Sequence, residues 1–302
     1  MVDFDQRWLD FVFLATDIEL MSKVTAFQTF FASELAQITS ALDHALSMPA
    51  SPSTTLLDAM RYGVMSGGKR IRPLLVVCVA KALGGDCAHA LPSATALELL
   101  HSYTLIHDDL PCMDNDAVRR GQPTVHVKYG ESTALLAGDA LLTLAFEQAS
   151  QAQHAPAEVV RLLAKAAGAQ GVIAGQVADL AAVSRTDVTV DELTFIHRNK
   201  TAALFRVAAE MGAYAAGKGE DAKLVHKLAQ FGESLGLAFQ YVDDLLDAQA
   251  ETAFSSVNIL GKDTVQERAD HYTKDALETI MSLGAAAESL RMLAQFMLRR
   301  EA

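Results

Sequence analysis

Apolar residues recur along most of this chain at the three- and four-residue intervals of an amphipathic helix. No segment shows the sustained apolar–polar alternation of a half-buried strand, and only 7 prolines interrupt the pattern. The sequence therefore predicts an all-α protein of about ten helices. These predicted helices span 22–47, 54–66, 70–83, 91–116, 131–153, 156–182, 190–216, 220–248, 264–282 and 285–300.

Several predicted helix ends have a local chemical cause. Pro156 suits the first turn of a helix, Thr189 with Glu192 forms a capping-box pattern, and Gly217 is a C-terminal stop signal. Three further glycines, at 168, 171 and 175, fall inside one predicted helix, where each costs up to about 1 kcal/mol relative to Ala. We expect them to allow close helix packing.

The domain organisation is indicated by composition along the chain. Residues 1–20 differ from the rest of the chain and are interpreted as an N-terminal extension, and residues 21–302 as one domain, because no Ser/Pro-rich linker or repeat appears after residue 53. The apolar run at 8–15 contains Asp10 and lacks both a basic flank and the roughly 20 apolar residues of a membrane span. We expect no export signal and no anchor.

Composition and charge exclude several classes of protein. Hydrophobic residues make up 51% of the 302 residues, which excludes intrinsic disorder. The 25 basic and 37 acidic residues give a net charge of −12, which repels nucleic acid and anionic lipid. Three cysteines, Cys78, Cys87 and Cys112, form no paired motif and favour a reducing cytoplasm. An anionic substrate would need metal ions or clustered bases to overcome this charge.

Two aspartate clusters stand out against this background. The first, 107–116, follows a strongly apolar stretch, and Asp108 and Asp114 would lie about 120° apart on an ideal helix. Pro111 is expected to bend that helix and bring the two together. In the second, Asp243 and Asp247 are four residues apart and share a helix face. Carboxylates so placed suit Mg²⁺, which takes one or two of them together with substrate phosphates.

Basic residues occur in the same neighbourhoods. A glycine turn at 67–73 carries Lys69, Arg70 and Arg72, able to hold phosphate through side chains and exposed amides. Arg119 and Arg120 follow the first aspartate cluster, and Lys200 lies within a predicted helix. In an acidic chain, these groups predict two phosphorylated ligands, one bound through metal and one held by bases.

The motifs GGKRIRP (67–73), LIHDDLPCMDND (105–116), RRG (119–121), GQVADL (175–180), HRNKT (197–201) and FQYVDDLLD (239–247) resemble the trans-prenyl diphosphate synthase family, of the bacterial farnesyl diphosphate synthase type. The resemblance runs from about residue 22 over nearly the whole chain. It implies an orthogonal helical bundle around a central cavity (the isoprenoid synthase fold) that is usually a homodimer, with small-molecule diphosphates as its substrates. It also implies head-to-tail condensation of isopentenyl diphosphate with dimethylallyl and then geranyl diphosphate, aided by about three Mg²⁺.

The resemblance also assigns roles to residues. Asp108, Asp109 and Asp114 would bind two ions and Asp243 the third, with Asp244 and Asp247 in supporting positions. The catalytic residues and those that contact the allylic diphosphate would be Arg119, Gln176, Lys200, Thr201 and Gln240. Isopentenyl diphosphate would be held by Lys69, Arg72, His101 and Arg120, and Asp179 would complete the wall.

Chain length is expected to depend on the residues beneath the first metal site. Thr104 and Tyr103 precede Asp108 by four and five residues, about 6 and 7.5 Å down a helix. A core aromatic is an equally good interpretation of Tyr103 from sequence. The family resemblance links a bulky residue there, with Pro111 and Cys112 inserted between the aspartates, to a fifteen-carbon product, farnesyl diphosphate.

The sequence departs from the family after Asp247. The family has a longer loop with a lysine there, whereas here Val257 is only the tenth residue after Asp247. We interpret Asp263 as an N-cap before a helix, so the lysine loop is missing and lid closure would be altered. Geranylgeranyl or geranyl diphosphate synthases, a low-activity or regulatory homologue and a metal-dependent His-Asp phosphohydrolase, suggested by His107 and Asp108, remain alternatives.

Overall fold

The structure, a computed structural model, describes residues 25–47, 54–183, 185–246 and 255–298. The predicted extension at 1–20 and Asp247 lie outside the described residues. A helical segment at 25–30 precedes the first numbered helix. The helices up to residue 182 are α1 (Ala32–Ala45), α2 (Thr54–Met65), α3 (Ile71–Ala82), α4 (Cys87–Asp108), α5 (Val125–Tyr129), α6 (Glu131–Ser150), α7 (Pro156–Ala167) and α8 (Val172–Ala182).

The second half of the chain is also helical. It contains α9 (Val190–Ile196), a π-helical segment (His197–Ala202), α10 (Ala203–Ala215), α11 (Ala222–Leu246), α12 (Ser256–Leu260), α13 (Lys262–Ile280), a 3₁₀ segment (Met281–Ala287) and α14 (Glu288–Leu298). The all-α prediction is therefore confirmed. Within the described ranges, no helix is long and apolar enough to cross a membrane.

The helix ends with a local chemical cause are confirmed. Helix α7 begins at Pro156, Thr189 and Glu192 form a reciprocal capping box, and Gly217 follows the end of α10 with a φ of 69°. The interpretation of Asp263 as an N-cap is wrong. Helix α13 begins at Lys262, so Asp263 lies in its first turn. Gly261, with a φ of 81°, makes the turn instead.

The predicted helix 156–182 is two helices. Gly168 ends α7 and Gly171 precedes α8, and a Cβ at residue 171 would collide with backbone of the preceding turn. The expectation of close packing was therefore wrong for these two glycines. It was right for Gly175, where an added Cβ would lie 2.7 Å from the Cα of Lys200.

A short antiparallel hairpin is the strand structure that the sequence pattern missed. β1 (Val118–Arg119) pairs with β2 (Gln122–Pro123), with Val118 opposite Pro123. Arg120 and Gly121 have φ values of 55° and 74°, as a two-residue type I′ turn requires at both central positions. Two-residue strands are too short to produce an alternating pattern. The hairpin fixes Arg119 and Arg120 directly after the first aspartate cluster.

The core is built around α3 and α4. Residues 73–80 of α3 are buried without exception, and α4 packs against α6, α3 and α10. A helix that is apolar all round must lie in the interior. Because α4 ends at Asp108, the buried helix carries the first aspartate cluster to the end of the core. All three cysteines carry free thiols, as expected.

Helix α11 crosses the π-helical segment at very short range. A Cβ added at Gly236 would lie 2.6 Å from the Cα of Ala202. Exchange of an interior helical Gly for Ala ordinarily stabilises a helix by about 0.8–1 kcal/mol. Here the backbone of the π-helical segment leaves no room for the methyl group.

We expect Gly236→Ala to lower the melting temperature by several degrees, because the steric clash outweighs the gain in helix propensity. Thermal unfolding followed by circular dichroism measures this. Gln230→Ala, at an exposed position of the same helix, is the control and should leave the melting temperature nearly unchanged. A rise in melting temperature for Gly236→Ala would show that the two helices are not in close contact.

Candidate functional site

The first aspartate cluster is a turn, not the bent helix that the sequence predicted over 91–116. Helix α4 ends at Asp108, ahead of Pro111. The Asp114 N–H donates to the carbonyl oxygen of Asp108 at 2.8 Å, so the turn folds back on the helix end. Pro111 therefore kinks no helix, although Asp114 still returns to Asp108, as expected.

Acidic groups crowd around one lysine at this turn. Burial raises the pKa of Asp108 to about 6, with Lys200 opposing this effect and Asp114 adding to it. Burial also raises the pKa of Asp114, and its neighbour Asp179 adds to that rise. The Lys200 Nζ donates to Asp179 Oδ2 at 2.5 Å. Lys200, on the π-helical segment, therefore faces the first cluster as a cation.

Asp109 has a different environment from its neighbour. Its side chain is only 4% exposed and accepts a hydrogen bond from Arg119 Nε at 2.7 Å. Arg119 also lies 3.5 Å from Asp116. Asp109, which is expected to bind metal, and Arg119, which is expected to contact the allylic diphosphate, thus form an ion pair.

The residues predicted for isopentenyl diphosphate are mostly brought together. Arg120 Nη1 donates to the carbonyl oxygen of Gly67, so the hairpin contacts the glycine turn. Arg72 Nη1 lies 3.1 Å from His101 Nε2. Burial, followed by the charges of Arg72 and Arg120, lowers the pKa of His101 well below its usual value. Because the imidazole of His101 is neutral and the arginines around it are charged, this site has an excess of positive charge.

Lys69 is exposed beside this group, with its Nζ 5.6 Å from the ring centroid of Phe296 on α14. The expectation that Arg70 also holds phosphate is wrong. Arg70 is 8% exposed and donates to Glu98 and to the carbonyl oxygen of Val64, both at 2.5 Å. It neutralises a buried carboxylate in the core, so only Lys69 and Arg72 of the glycine turn remain for a ligand.

The second aspartate motif lies at the end of α11, which is described as far as Leu246. Asp243 and Asp244 are both half-buried. Gln240 connects this motif to the π-helical segment: its Oε1 accepts from Thr201 Oγ1 at 2.6 Å, and its Nε2 donates to Asp244 Oδ1 at 2.8 Å. The predicted shared face of Asp243 and Asp247 stays a prediction.

The π-helical segment therefore joins the two motifs. Lys200 faces Asp179 and the first cluster, and the next residue, Thr201, bonds to Gln240 of the second motif. Gly175 and Gly236 let the flanking helices α8 and α11 approach this segment. π-helical turns occur often at functional sites. Gln176, next to Gly175, is buried, and its Nε2 has no hydrogen-bond partner among the described residues.

Two residues of this region were not predicted as site residues from the sequence. Ser256 donates from its hydroxyl to Asp244 Oδ2, and His197 Nε2 lies 3.4 Å from the same oxygen. His197 belongs to the HRNKT motif, but only the π-helical geometry places it against Asp244. No sequence signal marks Ser256.

Tyr103 and Thr104 lie on α4 beneath the first cluster, as expected. Tyr103 is 6% exposed, and its ring meets that of His107 edge to face at 5.4 Å. His107 Nε2 lies 2.9 Å from the carbonyl oxygen of Leu135, and Gly138 leaves room for its ring. Thr104 bonds to the carbonyl oxygen of His101 at 2.8 Å.

The carboxylates fit Mg²⁺ as a cation shared with substrate. No group of three His, Cys, Asp or Glu side chains converges tightly enough to hold an ion, as far as the structure describes the chain. Mg²⁺ is commonly bound through one or two carboxylates plus substrate phosphates. Burial raises the pKa of Asp108 and Lys200 opposes that rise, and a divalent cation at this position would further favour the ionised form.

Known proteins resemble this chain along most of its length. The polyprenyl synthetase family model matches residues 53–279. The large subunit 1 of the chloroplastic heterodimeric geranylgeranyl pyrophosphate synthase of Arabidopsis thaliana is 41% identical, over 80% of this chain. The match covers 66% of that relative, so this chain spans just under two thirds of its length.

Solved structures of prenyl-transferring enzymes also resemble this chain. An FPP/GFPP synthase from Zymomonas mobilis has a TM-score of 0.85 and 36% identity, covering 91% of this chain and 99% of that one. A geranyltransferase from Helicobacter pylori, in complex with magnesium and isoprenyl diphosphate, has a TM-score of 0.79 and 33% identity, covering 93% and 97%. The chain therefore belongs to the polyprenyl synthetase family, the trans-prenyl diphosphate synthases, and has the isoprenoid synthase fold.

Proposed function

We propose that this protein is a prenyltransferase that condenses isopentenyl diphosphate with dimethylallyl diphosphate and then with geranyl diphosphate. The observation that carries the proposal is the π-helical segment, where Lys200 faces one aspartate motif and Thr201 bonds to the other. A diphosphate placed there would meet a lysine, an amide and carboxylates that hold metal. The magnesium and isoprenyl diphosphate complex of the Helicobacter pylori geranyltransferase supports this ligand class.

The charges of the site residues assign them to different parts of the reaction. Lys200 and Arg119 attract the allylic diphosphate and stabilise the negative charge that develops as its C–O bond breaks. Asp108, Asp109, Asp114 and Asp243 are the residues that would hold Mg²⁺, about three ions, with Asp244 and Asp247 in supporting positions. When bound, Mg²⁺ would neutralise the leaving diphosphate as a Lewis acid.

The second substrate fits the basic group on the other side. Arg72, Arg120 and neutral His101 form a site for isopentenyl diphosphate, whose diphosphate group stays on the product. Lys69 lies at the edge of this site. Holding both diphosphates fixes the new carbon–carbon bond geometry, which is the main advantage of a bound pair over free reactants. The buried walls of α4 exclude water from the allylic cation.

A cytoplasmic homodimer is part of the same proposal. Leu135 and Leu136 on α6 are 47% and 57% exposed and form an apolar surface that a second copy would cover. Farnesyl diphosphate is the product that we propose, because buried Tyr103 lies five residues before Asp108 on α4, about 7.5 Å along the helix axis. Geranylgeranyl diphosphate is the second candidate, favoured by the name of the Arabidopsis thaliana relative.

Steady-state assays with dimethylallyl and isopentenyl diphosphates in Mg²⁺ test the reaction. We expect Asp108→Ala and Asp243→Ala each to reduce condensation at least about a hundredfold, because charge on the leaving diphosphate loses its compensation. Asp270→Asn, an exposed position on α13, should keep wild-type turnover and serves as the control.

Near-normal turnover of either alanine variant would disprove metal binding by the two aspartate motifs. Rapid hydrolysis of the allylic diphosphate by the wild-type protein, without condensation, would instead support a phosphohydrolase. A wild-type protein that binds both substrates but joins them hardly at all would support the regulatory homologue, and would fit the altered lid expected after Asp247.

Replacement of Tyr103 by Ala should shift the main product from fifteen to twenty or more carbons, because it opens space below the first cluster. Product chain length is measured by chromatography after dephosphorylation. Tyr214→Ala, which removes a ring from α10, is the matched control and should leave the product distribution unchanged. A Tyr103→Ala profile that stays at fifteen carbons would show that another residue limits the chain, and mainly longer wild-type products would overturn the farnesyl assignment.

A further inference from the structure

Both oxygens of the Asp244 carboxylate are engaged within the protein. Oδ1 accepts from Gln240 Nε2 at 2.8 Å, and Oδ2 accepts from the hydroxyl of Ser256. The Asp244 side chain is only 14% exposed. A buried carboxylate with two donors is held in one orientation, so Asp244 serves as a fixed acceptor between Gln240 and Ser256.

Ser256 approaches this carboxylate from the helix that follows α11 in the chain. It is fully buried, at the first position of α12, and is twelve residues beyond Asp244. The neighbouring Ser255 has a separate role, because its side chain accepts from the Asn258 N–H and caps α12. Two adjacent serines thus differ in a way that an experiment can use.

His197 completes the surroundings of the Ser256 hydroxyl. His197 Nε2 is 3.4 Å from Ser256 Oγ and 3.4 Å from Asp244 Oδ2. The His197 ring packs edge to face on Tyr241 at 5.0 Å, so it cannot swing away easily. Together these contacts leave the hydroxyl one charged acceptor, the Asp244 carboxylate.

The same connection determines which way the Gln240 amide points. Because Asp244 Oδ1 accepts from Nε2, the Gln240 Oε1 faces the Thr201 hydroxyl at 2.6 Å. A Gln side chain without such partners can turn its amide by half a rotation. Loss of the Ser256 donor would loosen Asp244 and, through it, Gln240 and Thr201.

We propose that Ser256 is a positioning residue that fixes Gln240 for the allylic diphosphate through Asp244. The inference rests on the proposed function, because Gln240 is there assigned to that substrate. Ser256 itself touches no substrate. Its effect is therefore confined to the allylic side of the reaction and spares the basic group of Arg72, His101 and Arg120.

Full kinetics of the wild-type protein, Ser256→Ala, Ser256→Thr and Ser255→Ala test this proposal. For Ser256→Ala we expect the KM for geranyl diphosphate to rise about tenfold, as loss of one buried charged hydrogen bond implies, and the KM for isopentenyl diphosphate to stay within about twofold. Ser256→Thr keeps the hydroxyl and should recover most of the loss. Ser255→Ala removes only a helix cap and should change neither KM.

Equal rises in both KM values, or identical behaviour of Ser256→Ala and Ser255→Ala, would overturn the proposal. A second measurement tests the positioning role of Ser256 separately from the proposed reaction. It is the affinity for geranyl thiolodiphosphate, a substrate analogue that resists ionisation, determined by calorimetry in the presence of Mg²⁺. If the wild-type protein binds this probe without condensing substrates, the proposed function fails, and a tenfold weaker affinity of Ser256→Ala still supports the positioning role. Absence of wild-type binding would overturn both.

Discussion

The site depends on the close approach of three backbones at the π-helical segment. Gly175 of α8 and Gly236 of α11 press against this segment from two sides, and a methyl group at either position would overlap with it. Close approach without side chains between them is what glycine permits inside helices. The contact holds Lys200 toward the first aspartate cluster and Thr201 toward Gln240. Without it, the two motifs would be separate acidic helix ends.

Charge explains why such a site is assembled at the edge of a buried helix. Burial raises the pKa of Asp108 to about 6 and also raises that of Asp114. In the absence of a ligand, the ionised forms of these two carboxylates are therefore unfavourable in free energy. Lys200 offsets part of that cost, and divalent cations with a bound diphosphate would offset the rest. In a chain of net charge −12, local cations and metals make binding of an anionic substrate possible.

The sequence predicted the all-α class, most helix ends and several of the residues that the structure brings together at the site. Caps at Thr189 and a stop at Gly217 are local chemistry, so they can be found without tertiary information. The π-helical segment could not be predicted, because periodicity over six residues does not separate π from α geometry. The pairing of Arg70 with Glu98 was missed for another reason: the packing of one helix against another determines which of several neighbouring cations is buried.

The most direct test of the account is a crystal structure with geranyl thiolodiphosphate and Mn²⁺, whose anomalous scattering locates the ions. The proposed function predicts a diphosphate between Lys200 and Gln240, with anomalous peaks at Asp108 and at Asp243. A diphosphate bound only at Arg72 and Arg120, or peaks absent from both aspartate motifs, would contradict it.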